Sequence, residues 1–171
     1  MSDILLIEIA IKCIRSSCTS QATTEEQTRI DMKQSVLFLC TGNSARSQMA
    51  EGLLRTLAGD RFEVFSAGSQ PSRVNPLAIA AMDERGIDIR SQRSKHLNDY
   101  LGQPFDFVIT VCDNAAESCP LVPGPARRIH WSFPDPAAVA GSEAERLTAF
   151  RQVRDALEAQ LRSWLETRPA E

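Results

Sequence analysis

The distribution of apolar and polar positions divides the chain into alternating strand-like and helix-like segments. Val36-Leu37-Phe38-Leu39-Cys40 is an unbroken apolar run, the pattern of a strand covered on both faces in a parallel sheet. Small and polar residues follow. Met49, Ala50, Leu53 and Leu57 then recur at helical spacing until Gly59-Asp60 stops the pattern. Phe62 to Ser66 reads as a second strand closed by Ala67-Gly68. Asn75-Pro76 supplies an N-cap with proline at the first helical position, and that helix is expected to run through Ile79 and Met82 to Gly86. Phe105 to Val111 is a third buried-type strand leading into Cys112, and Arg128 to Trp131 is a short fourth. Leu147, Phe150, Val153, Leu157, Leu161 and Trp164 predict one long amphipathic helix.

Alternating strands and helices imply an α/β fold with right-handed crossovers: a three-layer α/β/α arrangement about a four-stranded parallel sheet. In such folds ligands bind beyond the carboxyl ends of the strands. Cys40 and Cys112 both stand at such ends, so two cysteines are expected at one rim.

The first 34 residues read differently. Ile4 to Ile14 is apolar but broken by Glu8 and Lys12, without the basic leader of a signal peptide. Ser16 to Gln34 is rich in Ser, Thr, Gln and Glu. Residues 1–34 are therefore expected to be a poorly ordered extension before a domain at 35–168. Cys13 and Cys18, which lie within it, are expected to have no catalytic role.

The 171 residues suit a single substantial core. A formal net charge of -3 gives no reason to expect nucleic acid or an acidic membrane as partner. Nor does any apolar run reach the roughly 18 residues of a membrane span. Five cysteines with two histidines match neither a disulfide framework nor a zinc site. A reducing, cytoplasmic compartment and a monomer are expected, with no bound cofactor or metal.

Cys40-Thr41-Gly42-Asn43-Ser44-Ala45-Arg46-Ser47 joins a buried strand to a helix. Such a loop turns backbone N–H groups inward at a helix N-terminus, a setting suited to an anion of phosphate size. Arg46 can clasp two of its oxygens. The same field favours a thiolate at Cys40, with a hydrogen bond from Ser47. The glycine-lysine pair of a nucleotide-binding loop is absent.

Val36 to Glu51, VLFLCTGNSARSQMAE, resembles the signature of low-molecular-weight protein tyrosine phosphatases and the arsenate reductases that share their fold. The similarity continues through FSAG at 65–68, the Asn75-Pro76 helix, TVCDNAAESCP at 110–120 and HWSFPDPA at 130–137. This resemblance implies that Cys40 attacks phosphorus or arsenic while residues 41–46 bind the oxyanion and Arg46 stabilises the transition state. It also implies that Asp135 of Asp135-Pro136 is the general acid.

Hydrolysis needs one cysteine and water, whereas reduction needs a second thiol and a way to reset the pair. Arsenate reductases of this fold carry the C-x6-C arrangement seen here as Cys112 and Cys119. The phosphatases instead place tyrosines beside the Asp-Pro loop, where this chain has Ala137, Ala138 and Val139. The resemblance thus implies an arsenate reductase for detoxification, working through a Cys40/Cys112/Cys119 disulfide relay reset by thioredoxin. A phosphatase acting on phosphomonoesters is the alternative, and a non-catalytic oxyanion sensor a third. Cys112 and Cys119 would be about 10 Å apart on an intact helix, beyond disulfide reach, so the relay requires the segment between them to unwind. Some relatives hold potassium with residues matching Asn43, Glu51, Ser66 and a later aspartate. Here Ser94-Lys95-His96 occupies that stretch, so Lys95 either replaces the metal or lies on the surface.

Overall fold

The computed structural model describes residues 33–113 and 125–168. Residues 1–32, with Cys13 and Cys18, and residues 114–124, with Cys119 and the expected short helix after Cys112, lie outside the described residues.

Four parallel strands form one sheet: β1 (Gln34–Cys40), β2 (Phe62–Gly68), β3 (Phe107–Thr110) and β4 (Arg127–His130), in the order β2-β1-β3-β4. Among the described residues three α-helices accompany them: α1 (Arg46–Ala58), α2 (Pro76–Asp83) and α3 (Glu143–Glu166). Short 3-10 turns occupy Leu97–Tyr100 and Pro136–Ala138. The parallel four-stranded α/β fold read from the sequence is present.

Central β1 explains its own composition. Val36, Leu37 and Phe38 are wholly inaccessible to solvent, because both faces of the strand are covered. On one face Val36, Phe38 and Cys40 pack with Phe107, Ile109, α1, α2 and α3. On the other, Leu37, Leu39, Ala67 and Val108 meet Leu97 of the first 3-10 turn and Phe105. Burying each such side chain stabilises the fold by roughly 1.5–3 kcal/mol. Phe105 serves that second face instead of lengthening β3. Tyr100 stacks edge-on against Phe65 and Phe105 there, and burial pushes its hydroxyl pKa up.

Helix α3 buries Phe150, Val153, Leu157, Leu161 and Trp164. It starts at a capping box in which Ser142 and Glu145 bond each other's backbone amides. Its Arg154 reaches back to donate to the Ala81 carbonyl (2.6 Å), tying α3 to α2. Helix α2 is capped by the Asn75 side chain on the Leu77 amide and ends at Asp83. The chain then leaves through Gly86 at φ +71, a conformation that favours glycine. Trp164 meets Trp131 (ring centroids 6.2 Å) and carries the Arg168 guanidinium above it. Trp131 in turn packs on Phe38.

Register sets up the chemistry. Leu39 pairs with Thr110 and Cys40 with Gly68, so Cys112 leaves the sheet just beyond the level of Cys40.

Candidate active site

The loop from Cys40 to Arg46 is held from outside by its carbonyls. Those of Thr41, Gly42 and Ser44 accept from the amides of Gln70 (2.9 Å), Ser72 (3.1 Å) and Asn75 (2.8 Å). The Asn43 carbonyl accepts from Ser94 Oγ (2.6 Å) and Gln48 Nε2 (3.0 Å). Because each peptide is planar, engaging four successive carbonyls with the scaffold leaves amides available to an anion. Helix α1 begins at this point without a side-chain cap and without an acidic residue in its first turn, whereas α2 and α3 are both capped by side chains. The uncapped amides and the positive dipole end are thus kept for a ligand.

Asn43 is the hub. It adopts φ +43, the left-handed region that asparagine tolerates better than most residues, and is fully buried. Its amide donates to Cys40 Sγ (3.1 Å). Its Nδ2 donates to Ser47 Oγ (2.9 Å) and Ser66 Oγ (2.8 Å). Its Oδ1 accepts from the Lys95 amide (2.7 Å) and Gln48 Nε2 (3.0 Å). These contacts fix the polarity of a chain of bonds. Ser66 gives its hydroxyl proton to the Glu51 carboxylate, so it must accept from Asn43. Ser47 also accepts from Asn43, leaving its own proton for Cys40 Sγ, 2.9 Å away. Cys40 Sγ therefore faces two donors, the Asn43 amide and the Ser47 hydroxyl. Gly68 closes the back of the loop: a Cβ there would lie 2.5 Å from the Thr41 carbonyl oxygen and 2.8 Å from the Asn43 nitrogen.

Glu51 is buried and paired with two cations: Arg55 at 2.7 Å and Lys95 Nζ at 3.3 Å. Lys95 is itself largely covered and also donates to the Arg93 carbonyl. The oxygens that potassium would need on Asn43, Glu51 and Ser66 already bond protein groups, so this set does not fit the metal. Among the described residues no group of three His, Cys, Asp or Glu could hold a metal ion.

The remaining sequence-predicted residues meet the loop from the far side. Arg46 donates to the Phe133 carbonyl (3.0 Å) and pairs with Asp135 at 3.4 Å. Asp135 also caps the 3-10 turn that follows it. Cys112 is buried, and its Sγ lies 3.7 Å from Thr41 Oγ1. Cys40, Thr41, Asn43, Arg46, Ser47, Cys112 and Asp135 thus converge, while Cys119 is outside the described residues. Gln48 and Ser94 were not singled out from the sequence. Ser94 reaches the Asn43 carbonyl from 51 residues away, and Gln48 joins Asn43, five residues before it, to the distant Arg93 carbonyl.

Known proteins resemble this chain over most of its length. The model of the low molecular weight phosphotyrosine protein phosphatase family matches residues 35–171. An arsenate reductase of Halalkalibacterium halodurans is 45% identical over 135 residues, covering 79% of this chain and 97% of that protein. A solved arsenate reductase in a phosphate-binding state shares 33% identity at a TM-score of 0.64, covering 78% of this chain and 98% of its own. The thioredoxin-dependent arsenate reductase of Corynebacterium glutamicum shares 29% at 0.63, over 79% of this chain and 61% of that one. This chain belongs to the low molecular weight phosphotyrosine protein phosphatase family.

Proposed function

We propose that this protein reduces arsenate to arsenite in the cytoplasm, as part of arsenic detoxification. The observation that carries the reading is the second buried thiol, Cys112, beside Thr41 at the rim of an oxyanion loop. The relatives named arsenate reductases support it.

In this reading the loop amides and Arg46 hold arsenate, and the Cys40 thiolate attacks arsenic. Asp135, which reaches the loop through its ion pair with Arg46, gives a proton to the departing hydroxide, which leaves as water. The Cys112 thiolate then attacks Cys40 Sγ. The sulfur–arsenic electron pair stays on arsenic, so As(V) becomes As(III) as two thiolates become one disulfide. Arsenite departs. Cys119 attacks Cys112 Sγ, freeing Cys40, and a dithiol reduces the Cys112–Cys119 disulfide. Thioredoxin is proposed as that donor, supported by the thioredoxin-dependent relative. The Lys95 ammonium supplies the positive charge beside Glu51 that potassium would otherwise bring.

The test is arsenate-dependent NADPH oxidation with thioredoxin and its reductase, compared with glutaredoxin and glutathione. Turnover with thioredoxin is expected. Silence in both systems, beside rapid hydrolysis of an aryl phosphate, would establish the phosphatase in place of the reductase.

A further inference from the structure

We infer that His130 and Ser132 are positioning residues for Cys112, fixing the thiol that attacks Cys40 by holding the residues on either side of it. The inference rests on the reductase reading above. Asp113 directly follows Cys112, and its carboxylate takes the Ser132 hydroxyl at 3.0 Å and faces His130 Nε2 at 3.1 Å. The other imidazole nitrogen, Nδ1, lies 2.8 Å from Thr110 Oγ1. One ring therefore grips Thr110, two residues before Cys112, and Asp113, one residue after it. Ser132 adds a second bond to the same carboxylate.

The tie survives a change in ring charge. The hydrogen bonds from Ser132 and then His130 hold the Asp113 carboxyl below its ordinary value, so it is ionised near neutrality and requires a proton on Nε2. In the neutral ring the Thr110 hydroxyl donates to Nδ1. In the imidazolium, Nδ1–H donates to Thr110 Oγ1, whose own proton turns to the Ile129 carbonyl 3.5 Å away. The charges of His130 and Arg46 also favour the carboxylate of Asp113. These bonds are exposed: the side chains of His130 and Asp113 are 43% and 69% accessible. Exposed ties of this kind add little to global stability, so their effect is local, on the placement of Cys112. A few residues on, the same segment holds Arg46 through the Phe133 carbonyl and Asp135. The binding and resolving halves of the site thus share one support.

The test separates the two chemical steps in His130→Ala, Ser132→Ala and His130→Gln. Single-turnover thiol loss after arsenate addition reads the attack of Cys112. Hydrolysis of an aryl phosphate, which needs only the loop and Asp135, reads the rest of the site. Small misplacements of a reacting group can cost up to about a hundredfold. Thiol loss is expected to fall roughly tenfold in both alanine variants, with the KM for arsenate and the phosphatase rate within about twofold of wild type. His130→Gln, whose amide can still donate to Asp113, is expected to recover most of the rate. Undiminished thiol loss in both alanine variants, or an equal loss of hydrolysis and reduction, would overturn the inference while leaving the reductase reading in place. Wild-type protein that binds arsenate but loses no thiols would remove that reading and this inference together.

Discussion

The two sides of the site are built to different standards. On the loop side every polar atom of Asn43 is bonded, the residue is fully buried, and four successive carbonyls are pinned by neighbouring chain. On the side of Cys112, the carboxylates of Asp113 and Asp135 are exposed and held by a few bonds each. An oxyanion cradle works by pre-organisation, because donors already aimed at the charge need not reorganise during the reaction. A thiol relay works by exchange, because each disulfide needs its partners within about 4.4–6.8 Å at Cα, and one sulfur holds only one disulfide bond at a time. Under the relay proposed above, rigid binding beside lightly tied residues would satisfy both demands.

Cys112→Ser should divide the two sides most sharply. Arsenate reduction is expected to fall by more than about a thousandfold, since a positioned nucleophile is removed, while aryl phosphate hydrolysis stays within a few-fold of wild type. Equal loss of both activities would mean that the halves are not separable. Next in size is Asn43→Ala, which strains the left-handed position and orphans buried partners. About 2–3 kcal/mol of stability is expected to be lost, with both activities down by about a hundredfold. Asn43→Gly keeps the backbone but not the side chain, so a recovery of activity there would assign the effect to strain and not to the network. Lys95→Gln leaves buried Glu51 with Arg55 as its cation partner and is expected to cost about 1–3 kcal/mol. Potassium is expected to raise the Tm of neither this variant nor the wild type more than sodium does, because the Asn43 and Ser66 oxygens stay bonded to protein groups. A wild-type Tm that climbs with potassium alone would remove Lys95 from the role proposed for it.

The smallest effect is a titration. The Asp113 carboxyl lies below its ordinary value of 3.8 in the folded protein. Its bonds therefore contribute stability above that value, and the contribution is lost as pH falls through the lower folded one. Carboxyl NMR shifts are expected to show Asp113 titrating at higher pH in Ser132→Ala. An unmoved titration would show that the Ser132 hydroxyl does not hold the carboxylate in solution.

Much of this was legible in the chain because it is local. The apolar run at 36–40, the helical spacing after Met49 and the repeat from Leu147 to Trp164 each state their element directly. The C-x5-R-S loop likewise places Cys40, Arg46 and Ser47 together by covalent spacing alone. Boundaries were less legible where tertiary contacts decide them. Phe105 extends the apolar run before Val111 yet packs on the opposite face near Tyr100, and α2 stops at Asp83, short of Gly86. Least legible were Gln48, Ser94, His130 and Ser132, whose partners lie on other elements. A serine or glutamine has no periodic signature, and its role exists only once the fold has brought its partner near.

The packing of Trp131 has an experimental consequence. Its indole rests on Phe38 of the central strand and on Trp164, and it directly precedes Ser132 in the segment that holds both Arg46 and Asp113. Trp164 is fixed on α3 under the Arg168 guanidinium. The protein thus carries two tryptophans, Trp131 in the segment that holds Arg46 and Asp113, and Trp164 packed behind it. Replacing Trp164 with phenylalanine would leave Trp131 as a single optical reporter, able to follow arsenate binding and each redox step in real time without an attached dye.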